Sequence, residues 1–382
     1  MNAHDVFKSF TQAAPIGLIV MKSAEELGNK IDWYLKQWAG TDESFIIPSD
    51  CPRFQSGDGK GLVKESVRGD DIYIVTDIGN YSNTYKMFGM ENHMSPDDHY
   101  MDLKRIIQAL SGKAHRINVI MPQLYGARQH RRSYRESLDC AAALQELQSM
   151  GVANIVTFDA HDPRVVNAVP LLGVDNVMPT YQVLKAMFRR FPDMKPSKEN
   201  FLCVSPDEGA MTRNLYYSSV LGVNLGMFYK RRDYSRLVNG RNPIVAHEYL
   251  GEPVEGKDIF IADDMIASGD SMLDIAYKLK AEGARNVFCY ATYALFTSGL
   301  EKFDEAYEKG YITGVFGTNL TYRTPELLTR DWFIEVDCSK YISYIIAALN
   351  HNMSVGKIVD PIEKIKNLLE KRGIVSLFFK NG

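Results

Sequence analysis

The stretch Lys257-Asp258-Ile259-Phe260-Ile261-Ala262-Asp263-Asp264-Met265-Ile266-Ala267-Ser268-Gly269-Asp270-Ser271-Met272 decides how this chain reads. Residues 259–262 have the length and apolar composition of a buried strand, which ends in two adjacent acids, Asp263 and Asp264. A turn follows, Ala267-Ser268-Gly269-Asp270-Ser271. Met272, Ile275, Ala276 and Leu279 then recur at helical spacing as far as Gly283. Open α/β sheets bind ligands at the C-terminal edge of such strands. Free N–H groups at a helix start hold phosphate, and paired carboxylates suit sugar hydroxyls or a metal. Two readings stand side by side: a site for a phosphorylated sugar, or only a helix capped by Asp270 or Ser271.

The same alternation runs through the chain. Strands are expected at 72–76, 117–122, 155–158, 201–205, 225–229, 287–292 and 333–336. Helices are expected at 24–38, 96–110, 137–150, 181–191, 209–221, 271–282 and 341–350. This pattern predicts an α/β fold of mainly parallel sheets flanked by helices. Ser95-Pro96-Asp97-Asp98 marks a helix start: cap, proline in the first turn, then acids. A similar layout in the two halves predicts two like domains, 1–170 and 171–358, with an extension at 359–382. In that extension Ile362, Ile365, Leu368 and Leu369 make an amphipathic helix, and 375–379 is strand-like. It reads as a packing appendage or as an oligomer contact.

Composition narrows the function. The chain has 382 residues and a net charge of −3, which argues against a nucleic-acid partner or an anionic membrane surface. It holds no apolar run of the roughly 18 residues a membrane span needs. The start, Met-Asn-Ala-His-Asp-Val-Phe, lacks the layout of a signal peptide. Its five cysteines are scattered without a C-x-x-C pair, as expected of a reduced, cytoplasmic protein without disulfides.

Four more strand ends carry polar groups. After 117–122 comes Tyr125-Gly126-Ala127-Arg128-Gln129-His130-Arg131-Arg132, a basic loop suited to a polyphosphate or simply solvated. After 155–158, His161 stands between Asp159 and Asp162, as a cation ligand or an ordinary loop histidine. After 201–205, Asp207 and Glu208 either complement a helix N-terminus or bind Mg²⁺. After 225–229, Lys230-Arg231-Arg232 opens a polar stretch, 233–242, with the design of a lid that brings cations to a transition state. The cluster His93, Asp97, Asp98, His99 and Asp102 reads as a helix cap rather than a metal site. Neither G-x-x-x-x-G-K-[ST] nor G-x-S-x-G occurs.

Taken in order, these segments resemble the ribose-phosphate pyrophosphokinases of the phosphate-activated class, over residues 15 to 358. The resemblance rests on Arg53-Phe54, Glu65-Ser66-Val67-Arg68-Gly69, Tyr125-Gly126-Ala127-Arg128-Gln129, Asp159-x-His161, Ser205-Pro206-Asp207-x-Gly209, Lys230-Arg231-Arg232 and Asp263-Asp264-Met265-Ile266. It implies two phosphoribosyltransferase-like domains with the active site between them. It also implies transfer of the β,γ-diphosphoryl group of ATP to ribose 5-phosphate, with Mg²⁺ as cofactor and a homo-oligomer, dimer or hexamer. Carried over by position, Arg128, Gln129 and His130 belong to the ATP site. So does the loop of Phe54, Ser56 and Asp58, with Phe54 packing on the adenine of a neighbouring subunit. His161 and Asp207 become Mg²⁺ ligands, and Lys230 and Arg232 the catalytic cations. Asp263 and Asp264 face the ribose, and Ala267, Ser268, Gly269, Asp270 and Ser271 its 5-phosphate.

The chain departs from the family pattern in places. Family members usually read Asp-Thr-Gly/Ala-Gly-Thr at 267–271, and Ser-Asp-Gly-Glu where this chain has Gln55-Ser56-Gly57-Asp58. His130 stands where an acid is usual, and there is an insertion around 85–98. Two functions remain in view: an active diphosphotransferase, or a weak or silent paralogue that regulates a true synthetase by co-assembly.

Overall fold

Runs of Ile, Val, Leu and Phe buried on both faces form the central strands, as parallel sheets covered by helices require. The computed structural model describes Phe7, residues 11–110, 112–232 and 244–374, and Ser376; the side chains of 230–232, 244–247 and 357 lie outside that description. The chain divides into two compact units. The first is Met1–Pro179, Asn319–Tyr322 and Asp337–Asp360; the second is Thr180–Thr318, Arg323–Val336 and Pro361–Gly382.

The first unit holds a five-stranded sheet in the order β1 (Ile16–Val20), β4 (Asp71–Val75), β7 (Arg116–Ile120), β8 (Asn154–Phe158), β9 (Gly173–Val177), with every neighbouring pair parallel. Ile72, Ile74, Val119 and Ile155 bury against Leu103 and Ile106 of the helix Pro96–Leu110 and Leu144 and Leu147 of the helix Asp139–Ser149. Two small antiparallel pairs flank this core: β2 (Ser49–Asp50) with β3 (Leu62–Val63), and the hairpin β5 (Thr84–Met87) and β6 (Met90–His93). The helix after the hairpin starts as its sequence predicts. Ser95 Oγ accepts from Asp98 N, and Asp98 Oδ2 accepts from Ser95 N.

The second unit holds a seven-stranded sheet: β12 (Ile244–Leu250), β11 (Asn224–Arg232), β10 (Phe201–Ser205), β13 (Asp258–Ile266), β14 (Asn286–Ala294), β15 (Gly314–Thr318), β16 (Phe333–Val336). Only β11–β12 is antiparallel. Both sheets are mainly parallel and helix-flanked, the α/β architecture expected. No helix among the described residues is long and apolar enough to cross a membrane.

The division of the chain differs from the expected one. β9 pairs with β8, so the first unit continues past 170 to Pro179. Residues 337–360 fold back onto the first unit because the helix Ser339–Asn350 packs there. Trp38 and Tyr344 rings lie 4.9 Å apart, and Asn350 Nδ2 donates to Asp71 Oδ2 at 3.0 Å. Asp71 has no exposed surface. Its carboxylate also accepts from Arg116 Nε at 2.8 Å, from the second terminal nitrogen of Arg116 at 2.6 Å, from Tyr73 Oη at 2.7 Å and from Asn118 Nδ2 at 2.8 Å. Arg116 also donates to Leu349 O, so one buried ion pair fastens the returning helix. The tail from Pro361 packs within the second unit. Its helix Ile362–Glu370 buries Ile365 and Leu369, and Arg372 beyond it donates to Phe188 O and Pro192 O. Of the strand-like piece 375–379, all but Ser376 lies outside the described residues.

Candidate functional site

In the second unit the chemistry collects at the C-terminal ends of adjacent strands. β13 does not stop before its acids. It runs through Asp263 and Asp264 to Ile266, because its pairing with β14 continues as Asp263↔Ala291 and Met265↔Tyr293. The acids therefore sit on rigid strand, and the strand runs two residues past them before the turn begins. Asp264 is buried, and Asp263 Oδ1 accepts from Asp264 N at 2.8 Å. A guanidinium nitrogen of Arg213 lies 3.5 Å from Asp263 Oδ1. Asn214, fully buried, fixes the strand just before the pair: its Oδ1 accepts from Ala262 N, and its Nδ2 donates to Ala262 O. Arg213 and Asn214 are missing from the sequence reading because they sit inside the helix Met211–Leu221, where the surrounding periodicity signals packing.

Burial pushes the Asp263 carboxyl well above the ordinary range. The Asp264 charge adds to this, and Arg213 opposes it. A pair in which one carboxyl is pushed up in this way can present both a donor and an acceptor. The sign for stability follows. As pH rises above about 4, the unfolded chain releases a proton that folded Asp263 keeps, so stability falls with pH up to the raised value. Asp263→Asn is expected to raise the melting temperature at pH 8 by about 2–4 °C and to leave it unchanged near pH 3.5. Thermal unfolding at the two pH values checks this.

After β13 the chain turns at Gly269, with φ 85°, into the helix Asp270–Ala281. A Cβ at Gly269 would lie 2.3 Å from Phe303, so both the φ and the packing require glycine. Gly269 is the N-cap residue and gives no side-chain cap; neither Asp270 nor Ser271 caps the helix. Asp270 is its first residue and pairs with Lys302 on the exposed surface; that hydrogen bond lowers its pKa. Asp270 N donates to Ser268 Oγ at 3.4 Å, and the other N–H groups of the first turn, beside Ser271, form the kind of helix start that can receive an anion.

On the neighbouring strand β10, Ser205 Oγ donates to Asp207 O and Asp207 Oδ1 accepts from Ala210 N at 3.2 Å, which sets the turn before the next helix. β11 lies on the other side of β10 and ends in Lys230 and Arg232; their side chains, and residues 233–243 with the expected lid, lie outside the described residues.

In the first unit, the loop after β7 turns at Gly126, where φ is 65° and a Cβ would lie 2.9 Å from Cys140 N. Gln129 Nε2 donates to Ser137 O at 2.7 Å, and Arg128 is exposed. The structure brings His130 and His161 together, with ring centroids 5.3 Å apart, and His130 Nε2 is 3.4 Å from Asp162 Oδ2. Arg164 donates to Asp162 and pushes its carboxyl down to about 2. Phe54, Ser56 and Asp58 form a separate turn. Phe54 N donates to Asp58 O, Ser56 Oγ donates to Asp58 Oδ2, and the Phe54 ring is 55% exposed. The cluster around residue 98 is held by other partners: Asp102 pairs with Arg53 and Arg105, His99 bonds Asn80 O, and His93 bonds Tyr81 O.

The model of the N-terminal domain of ribose phosphate pyrophosphokinase matches residues 16–151, and that of the phosphoribosyl transferase domain matches 191–320. A ribose-phosphate pyrophosphokinase of Vibrio vulnificus is 30% identical over 267 residues, covering 68% of this chain and 76% of that protein. The chain belongs to the ribose-phosphate pyrophosphokinase family. The Shewanella oneidensis ribose-phosphate pyrophosphokinase is 28% identical over 307 residues, covering 79% of this chain and 88% of its own length. A phosphoribosylpyrophosphate synthetase from Mycobacterium smegmatis shares the fold. Its TM-score is 0.72 at 21% identity, with 88% of this chain and 99% of that one covered.

Ribose-phosphate pyrophosphokinases use Mg²⁺ with ATP. No group of three or more His, Cys, Asp or Glu among the described residues is placed to hold a metal by itself.

Proposed function

We propose that this chain transfers the β,γ-diphosphoryl group of ATP to the anomeric hydroxyl of ribose 5-phosphate, giving phosphoribosyl pyrophosphate and AMP. One arrangement supports this most: the Asp263–Asp264 pair on the end of β13, followed by the Gly269 turn and an anion-ready helix start. The acids hold the ribose hydroxyls, and residues 267–271 hold the 5-phosphate. Arg128, Gln129 and His130 hold ATP, and Phe54, Ser56 and Asp58 form the adenine loop. Lys230 and Arg232 neutralise charge on the transferring group. The sugar hydroxyl is the nucleophile, so positioning and charge neutralisation carry the catalysis and no covalent residue is required. His161 and Asp207 would each serve as a Mg²⁺ ligand, and the ion would supply positive charge to the phosphates.

Purified protein with Mg²⁺, ATP and ribose 5-phosphate is expected to form AMP and phosphoribosyl pyrophosphate in equal amounts. No turnover with any nucleotide and pentose phosphate pair overturns the proposal. In the same assay, His161→Ala and Asp207→Ala are expected to raise the Mg²⁺ concentration needed for half-maximal rate. An unchanged Mg²⁺ titration in both variants would make these two strand-end loops purely structural.

A further inference from the structure

The helix Met211–Leu221 is fastened to β13 just before the paired acids. Asn214, fully buried, joins helix to strand. Its Oδ1 accepts from Ala262 N at 3.0 Å, and its Nδ2 donates to Ala262 O at 2.7 Å and to Ala210 O at 2.9 Å. Three residues on, Tyr217 is 1% exposed and places its ring 5.0 Å from Phe260 of β13 and 6.0 Å from Tyr290 of β14. A buried amide and a packed aromatic ring together leave the helix little freedom to rotate or slide on its sheet. Asn214 engages the residue before Asp263, and Arg213 is the residue before Asn214. The same registration delivers Arg213 to Asp263, with a guanidinium nitrogen 3.5 Å from Oδ1.

The three charged side chains differ in access. The Asp263 side chain is 27% exposed and that of Arg213 9%, while Asp264 is buried. Asp263 is therefore the acid of the pair that is open to a sugar arriving from solvent, and Arg213 approaches it from the protein side. Arg213 and Asp264 N address the same oxygen, Oδ1. The carboxylate is thus tied at one end.

Charge acts in the same sense. A guanidinium stays protonated, and one so little exposed is weakly screened by salt. Burial and the Asp264 charge favour the protonated form of Asp263, and Arg213 favours the ionised form, which accepts a hydrogen bond on either oxygen.

On the reading of Asp263 and Asp264 as the ribose site, we infer that Arg213 is its positioning residue: it holds Asp263 by Oδ1, so that Oδ2 is presented to a ribose hydroxyl. In this role Arg213 acts on the sugar through Asp263 alone. Without it the carboxylate is free to turn, and ordering it becomes a cost of binding. The signature is a loss of sugar affinity that depends on Asp263. A guanidinium that only balances charge in the fold gives no such dependence.

Isothermal titration of the full chain with ribose 5-phosphate, carried to millimolar concentrations, tests this on a double-mutant cycle of wild type, Arg213→Gln, Asp263→Asn and the double variant. Arg213→Gln is expected to weaken ribose 5-phosphate about tenfold, the scale of one charge-assisted hydrogen bond. Arg213→Lys keeps the charge and is expected to restore affinity to within about threefold of wild type. In the Asp263→Asn background, either change at Arg213 is expected to alter affinity by less than about twofold. Titration with ATP and Mg²⁺ is expected to give the same affinity for Arg213→Gln as for wild type. If Arg213→Gln does not fold, Arg213→Lys carries the cycle, with its smaller loss expected to vanish in the Asp263→Asn background. Wild-type affinity in Arg213→Gln, an equal loss in both backgrounds, or a parallel loss of ATP affinity overturns the inference. Wild type that binds no ribose 5-phosphate sinks the proposed function and the inference together; binding without the coupling sinks the inference alone.

Discussion

Lys230→Ala and Arg232→Ala are each expected to lower kcat by about 10²–10³, the cost of losing one preorganised charge donor at a transition state. Diphosphoryl transfer spreads negative charge over the moving group and calls for little else from the protein. The backbone supports such a role. β11 continues beyond its partner β10 as far as Arg232, paired there only with β12, and the register shifts between Arg231 and Arg232. Melting temperature is expected to stay within a degree or so, because a single cation in the proposed role adds little to folding. Steady-state AMP formation at saturating substrates, with a thermal melt of each variant, makes the check. Near-normal kcat in either variant removes that residue from the catalytic role.

Arg116→Ala is expected to cost about 3–5 kcal/mol of stability, because it leaves a fully buried carboxylate without its charge partner. Burial works to raise the Asp71 carboxyl. Hydrogen bonds from Arg116, Tyr73 and Asn350 outweigh that effect and hold it below the ordinary carboxylate range. The stability this pair contributes is therefore present above the unfolded carboxylate pKa of about 4 and is lost as pH falls below it. Urea unfolding at pH 7 gives the direct reading. Asn350→Ala removes one of several bonds to the same carboxylate and is expected to cost about 1 kcal/mol. An Arg116→Ala midpoint close to wild type would show that Asp71 finds another partner or takes up a proton.

Much of this fold is legible because parallel strands buried on both faces read as unbroken apolar runs. β10, β13, β14 and β16 announce themselves that way. β9 does not, because Asp175 and Asn176 interrupt it at the sheet edge, and β15 is diluted by Gly314 and Gly317. The return of residues 337–360 to the first unit depends on contacts hundreds of positions apart, such as Asn350 with Asp71, which local pattern cannot carry. At the site, residue types and order drew attention to Asp263, Asp264 and the 267–271 turn, but a merely capped helix has the same local pattern, so the pattern alone does not separate the two readings. The role of Asp270 was not legible locally: its partner, Lys302, lies on another helix. Arg213 and Asn214 were hidden for the same reason, because what they do is defined by a strand far along the chain.

The way the first unit is completed sets an order of events during synthesis. Its sheet strands, β1 to β9, leave the ribosome early, but the helix Ser339–Asn350 that covers part of that unit is made only after the whole second sheet. Until then Ile342, Ile345 and Ile346 are missing from its packing, and Asp71 lacks its bond from Asn350. Domains ordinarily fold one after another as they emerge. Here the earlier half waits, partly open, for the later half to be translated, so a ribosome that stalls between the two would leave behind a nascent chain with an unfinished core rather than a folded N-terminal domain.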